Sequence, residues 1–132
     1  MDTVNFISTE NGDDLIVGFA IASDEPGEIV SLTLLRTPKF EPLLFPEERG
    51  VNISRDDIPG SEDDRLQSLR WDGDTVRIAT TEGRRYELDM RRVATDERRS
   101  AKLVLARMNT DHAFVLEIVA KGTDQGDSGF LA

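Results

Sequence analysis

The stretch DLIVGFAIASDEPGEIVSLTLL, residues 14–35, constrains this chain more than any other. Within 14–22, Leu15, Val17, Phe19 and Ile21 form one bulky apolar face. Ile16, Gly18, Ala20 and Ala22 form a second, mostly small one. Side chains alternate between the two faces of a strand, so this strand is apolar on both sides and belongs inside a sheet. The small face admits a helix or another backbone close to Gly18; a β-bulge is the competing reading. Asp24, Glu25, Pro26 and Gly27 then turn the chain. Proline presets the first central position of a type II turn, and glycine supplies the positive φ of the second. Beyond it Val30, Leu32 and Leu34 face one way, with Ser31 and Thr33 opposite, so 14–36 reads as an antiparallel hairpin.

The remaining segments are read from the same periodicities. Val4 and Phe6 predict a short first strand over 3–9, closed by an Asn11-Gly12 turn. Residues 37–49 carry Pro38, Pro42 and Pro46 and predict an irregular crossing loop. Its Phe40, Leu43, Leu44 and Phe45 either plug the core or form an exposed contact patch, with core plugging preferred. Val51 and Ile53 predict a strand, followed by an acidic loop through Asp64. Residues 65–80 read as a hairpin about Asp72-Gly73; Tyr86, Leu88 and Met90 have strand spacing and Tyr86, Met90 and Val93 helix spacing, with a strand to about residue 90 preferred. Leu103, Val104 and Leu105 predict a buried strand. A helix is expected over 110–121, capped by Thr110 and closed by Gly122, with Phe114, Val115, Ile118 and Val119 on one side. A hairpin through residues 108–112 competes with that helix.

The expected fold is therefore α+β: a mostly antiparallel sheet of about six or seven strands with a C-terminal helix packed on it. A length of 132 residues suits one domain with a real core. Residues 1–122 form that domain, and 123–132 a polar tail. The first residues show neither a basic nor an apolar leader segment, and no run approaches the roughly 18 apolar residues of a membrane span. No cysteine is present, which excludes disulfides and thiolate metal sites. The expectation is a cytoplasmic protein without membrane contact.

Charge is divided unevenly. Residues 1–64 hold 15 acids and 4 bases, a net of −11, whereas 65–132 hold 11 acids and 12 bases, a net of +1. Such a surface argues against nucleic acid, which needs a basic face. It permits a basic protein partner. No catalytic constellation emerges. GDSGF at 126–130 resembles the nucleophile motif of trypsin-like proteases, but His112 is the only histidine and a triad needs a positioned base. Beside Asp111, His112 is expected to face solvent at a helix start. DGD at 72–74 lacks the later ligands of a calcium loop. The acids at 56–57 and 62–64 hydrate rather than hold a cation. The arginine pairs 84–85, 91–92 and 98–99 are interleaved with Glu87, Asp89, Asp96 and Glu97, which neutralise much of their charge; intramolecular pairing or solvation is expected ahead of a phosphate-binding face. No enzyme activity, cofactor or metal is expected.

The N-terminal hairpin resembles the immunity protein 10 family of bacterial polymorphic toxin systems. The resemblance rests on the acidic turn Asp13-Asp14, the strand Val17 to Ala20, the corner Glu25-Pro26, and a strand ending in the basic residue Arg36. GVNISRDD at 50–57 and the expected terminal helix fit as well. The strand here ends Leu34-Leu35-Arg36 where that family has Leu-Gln-Arg. The resemblance implies an α+β protein that binds and neutralises a cognate toxin encoded beside it. Contacts are then expected from Asp56, Asp57, Glu62, Asp63, Asp64, Glu47 and Glu48, with Phe40 and Phe45 as apolar anchors. The alternative is a small-molecule or peptide-binding module using the apolar face near residues 40–45. The oligomeric state is left open.

Overall fold

A computed structural model describes residues 1–119 apart from Pro26, Pro59, Ser61 and Glu62. The tail at 123–132, its GDSGF motif and the helix end expected at Lys121-Gly122 lie outside the described residues, as does Glu62. The fold is α+β. Eight strands run β1 Asp2–Asn11, β2 Leu15–Ala22, β3 Ile29–Arg36, β4 Asn52–Arg55, β5 Leu66–Asp72, β6 Thr75–Thr80, β7 Arg85–Asp89 and β8 Val115–Val119. Among the described residues one α-helix, α1 Thr95–Met108, precedes β8.

The strands form one sheet in the order β4-β3-β2-β1-β7-β6-β5-β8. It is mixed: β1 runs parallel to β7, and β5 parallel to β8, while the other neighbours are antiparallel. The sheet curls until β4 meets the start of β5, where Asn52 bridges Arg65 and the Leu66 N–H donates to the Val51 carbonyl at 2.9 Å.

The opening hairpin forms as its pattern requires. β2 lies between β1 and β3, with Leu15, Val17, Phe19 and Ile21 buried on the inner face. Gly27 has the positive φ expected of it, +81°, and the Glu28 N–H donates to the Glu25 carbonyl at 3.1 Å, closing the turn. Gly18 pairs in register with Ser8 and Thr33. The irregularity in β1 falls between Val4 and Phe6, so Gly18 is not a bulge. A Cβ at Gly18 would stand 2.9 Å from the Ser8 hydroxyl. The approach at Gly18 is thus a cross-strand hydroxyl, rather than the helix or backbone expected there.

The C-terminal third differs from the sequence reading. Residues 95–108 are helix, so the strand expected on Leu103, Val104 and Leu105 is absent. Ala101, Val104, Leu105 and Met108 are buried while Leu103 is 60 % exposed, the i, i+3, i+4, i+7 stripe of a helix. The helix expected over 110–121 is instead a turn followed by the edge strand β8, so neither it nor the competing hairpin forms. β-Branched Val115, Ile118 and Val119 suit a strand, and pairing with β5 supplies what periodicity could not show.

The helix has no side-chain N-cap. Glu97 instead accepts the Ile7 N–H of β1 at 2.8 Å, and Arg98 donates to the Met90 and Val93 carbonyls and to Asp74. These bonds seat α1 along β1 over the inner face. Lys102 then places its ammonium 4.9 Å from the ring centroid of the fully buried Trp71.

Candidate functional site

The connection from β3 to β4 is built by its prolines. Pro38 and Pro46 each open a 3-10 helix, Pro38–Leu43 and Pro46–Glu48, at positions where a missing N–H costs nothing. The Phe40, Leu44 and Glu48 N–H groups donate to the carbonyls of Thr37, Glu41 and Phe45. Neither segment contributes a buried residue. Phe40 is 54 %, Leu43 83 %, Leu44 38 % and Phe45 71 % exposed. The preferred expectation that these side chains plug the core is therefore overturned: all four stand exposed.

The physical reason lies beneath the loop. That end of the core is closed by Arg36, which is 5 % exposed. Its Nε and Nη2 donate to the two Glu41 carboxylate oxygens, both at 2.8 Å. Its Nη1 and Nη2 donate to the two oxygens of Asp111 at 2.8 and 2.7 Å, and Nη1 also to the Met108 carbonyl at 2.6 Å. A buried guanidinium is tolerated only when so fully paired. Hydrogen bonds from Arg36 hold the Asp111 carboxyl below its ordinary range, and Asp111 first, then Glu41, pushes Arg36 further up. Glu41 also accepts the Gly50 N–H at 3.4 Å, tying the far end of the loop to the same point. Lys39 pairs with Asp13 at 3.2 Å and lies 5.0 Å from the Phe40 ring centroid, and the Thr37 hydroxyl donates to Asp14.

Among the described residues, the acids named from the sequence do not form one surface. Glu47 and Glu48 are exposed beside the phenylalanines, Glu48 accepting the Phe45 N–H at 2.9 Å. Asp56 and Asp57 lie past the other end of β4, a strand length of about 13 Å away. There Asp56 accepts the Ser31 N–H, and Asp57 pairs with Arg55 at 2.6 Å, which holds its carboxyl below the ordinary value. Asp64 is a correction. It is 3 % exposed, accepts the Glu82 N–H at 3.0 Å and the Thr81 hydroxyl at 3.3 Å, and lies 3.8 Å from Arg84. It fastens the β6–β7 turn and is not available to a partner. Asp63 is exposed.

The other candidates resolve simply. Arg91 pairs with Asp89, Arg98 with Asp74, and Arg92 donates to Asn5. Asp72-Gly73 belongs to a tight turn with Gly73 at φ +60°. His112 is exposed, but in the turn after α1 with φ 57° rather than at a helix start. No group of three metal-ligating side chains occurs among the described residues. A groove of about 360 Å³ over the outer face of β3 and β4 is lined by Thr33, Leu35, Asn52, Ser54, Arg55 and Ile58, and not by residues 40–45. No helix among the described residues is long and apolar enough to cross a membrane.

No sequence pattern marks Arg36, Glu41 and Asp111 as a unit. One signal was present: Val30, Leu32, Leu34 and Arg36 share one strand face, which places an arginine at a core position. Comparison with protein-family models, curated proteins and solved structures finds no match.

Proposed function

We propose that this chain is a non-enzymatic binding protein of the immunity type, which neutralises a cognate, basic protein toxin by covering it. The observation that supports this reading is the apolar loop. Four large apolar side chains stand exposed within six residues on a short, proline-braced connection, fastened at its base by a buried arginine. Exposed apolar patches of this kind mark interaction surfaces. Bracing lowers the ordering cost of binding. Glu47 and Glu48 stand exposed on the loop, and Asp14 lies at its base against Thr37, while Lys39 is paired with Asp13; this supports a partner with a basic rim over nucleic acid. Phe40, Leu43 and Phe45 act as anchors and set the dissociation rate, while the exposed acids speed encounter. The rival ligand-binding reading has less support, because residues 40–45 project outward instead of lining the groove on β3 and β4.

The test is stopped-flow binding, at two salt concentrations, to the toxin module that this reading expects to be encoded beside this chain. Neutralising Glu47, Glu48, Asp56 and Asp63 should slow association at low salt and leave dissociation nearly unchanged. Added salt should shrink the difference, since exposed charges are screened within roughly 8–10 Å. Failure of the wild-type chain to bind the module would overturn the reading.

A further inference from the structure

The Arg36 guanidinium bridges two segments that are far apart in sequence. On one side is the apolar loop at 37–50, held through Glu41. On the other is the turn at 109–114, held through Asp111 and the Met108 carbonyl at the end of α1. We propose that this bridge is a coupling device: the loop and the turn order together through Arg36, so whatever loosens the turn reshapes the patch and weakens its hold on a partner. The consequence for binding rests on the function proposed above; the coupling itself does not.

Each carboxylate organises backbone as well as the guanidinium. The Glu41 carboxylate accepts the Gly50 N–H at 3.4 Å, which ties the far end of the loop to the guanidinium. Asp111 accepts the Ala113 N–H at 3.2 Å, next to the bond from the Phe114 N–H to Asn109 that leads the chain into β8. Phe114 is itself in the core. Both carboxylates meet a guanidinium whose planar fork is rigid, so moving one of them misplaces the bonds of the other. A buried donor left without its acceptor carries the full cost of desolvation, which disfavours half-formed arrangements. Networks of this kind act as units, and coupling between two sites is reciprocal.

The experiment is backbone amide hydrogen exchange by NMR on the free full-length chain, comparing wild type with Asp111→Asn, Arg36→Lys and the surface control Glu87→Gln, whose partner Arg77 lies away from the loop. In Asp111→Asn the amides of Phe40, Leu44 and Gly50 should exchange about tenfold faster, the loss expected for one charged hydrogen-bonding partner. Those of Val17 and Leu32 should hold their rates. Combining Glu41→Gln with Asp111→Asn should add little to either alone. Loop exchange that is unchanged in Asp111→Asn would overturn the coupling. So would equal loss of protection throughout β2 and β3, because Arg36 would then be a general stability group. Dissociation from the neighbouring toxin module should accelerate by a similar factor in Asp111→Asn. Coupled exchange in a wild-type chain that binds no module would leave the device standing and overturn only the proposed function.

Discussion

Replacing Phe45 with alanine should cost little folding stability and most of the affinity for a partner. A buried phenylalanine truncated to alanine costs roughly 3–5 kcal/mol. Phe19, fully buried between its neighbours on β2, should show that whole effect. Phe45 is 71 % exposed and Phe40 54 %. Scaled by the fraction of each side chain already covered, the expected costs are about 1 kcal/mol for Phe45→Ala and about 2 kcal/mol for Phe40→Ala. No cavity is left by either change, because Arg36 and its carboxylates already close the core below. In the complex the order reverses: an aromatic anchor truncated at the centre of an interface costs roughly 2 kcal/mol or more, at least a thirtyfold rise in Kd. Equilibrium urea unfolding measures the first quantity, and kinetics on the immobilised toxin module the second. Equal destabilisation by Phe45→Ala and Phe19→Ala would refute the reasoning. It would mean that the loop folds into the core in solution, and the observation supporting the proposed function would be gone.

Three further outcomes are expected. Hydrogen bonds from the Arg91 side chain and backbone hold the Asp89 carboxyl down from its ordinary 3.8 to about 2. A depressed carboxyl stabilises the fold above its unfolded value and loses that contribution as pH falls through its folded value. Asp89→Asn should therefore flatten the decline in urea midpoint between about pH 4 and pH 2 and leave the slope above about pH 5 unaltered. Asp64→Asn should destabilise by roughly 1–3 kcal/mol through its buried partners. Glu47→Gln, on the exposed loop, should stay within about 0.5 kcal/mol; equal effects in urea melts would mean that Asp64 is not a fastening residue. Gly18→Val should cost roughly 1–3 kcal/mol by crowding the Ser8 hydroxyl. The same change in a Ser8→Gly background should cost distinctly less, and identical costs in both backgrounds would place the strain elsewhere.

The sequence alone determined the antiparallel half of this protein. Alternation at 15–21 and 30–36, with a proline-glycine corner between, leaves a two-faced apolar strand little choice but an interior position. Local pattern failed where apolar residues cluster without a clear period. Leu103-Val104-Leu105 reads as a strand until one sees that Ala101 and Met108, not Leu103, meet the core. Val115, Ile118 and Val119 satisfy a helix on paper, and only the open edge of β5 makes them a strand. The site was half legible. Exposed phenylalanines, glutamates and prolines are visible in the sequence, but their exposure is not. It depends on what lies beneath them, and that is a guanidinium whose partners sit 5 and 75 residues away. Asp64 shows the converse: five acids in nine residues look alike along the chain, and burial beside Arg84 and the β6–β7 turn sets one of them apart. Short-range pattern specifies how a segment alternates its faces. Which face is covered, and by what, is decided by contacts between segments that only the assembled fold brings together.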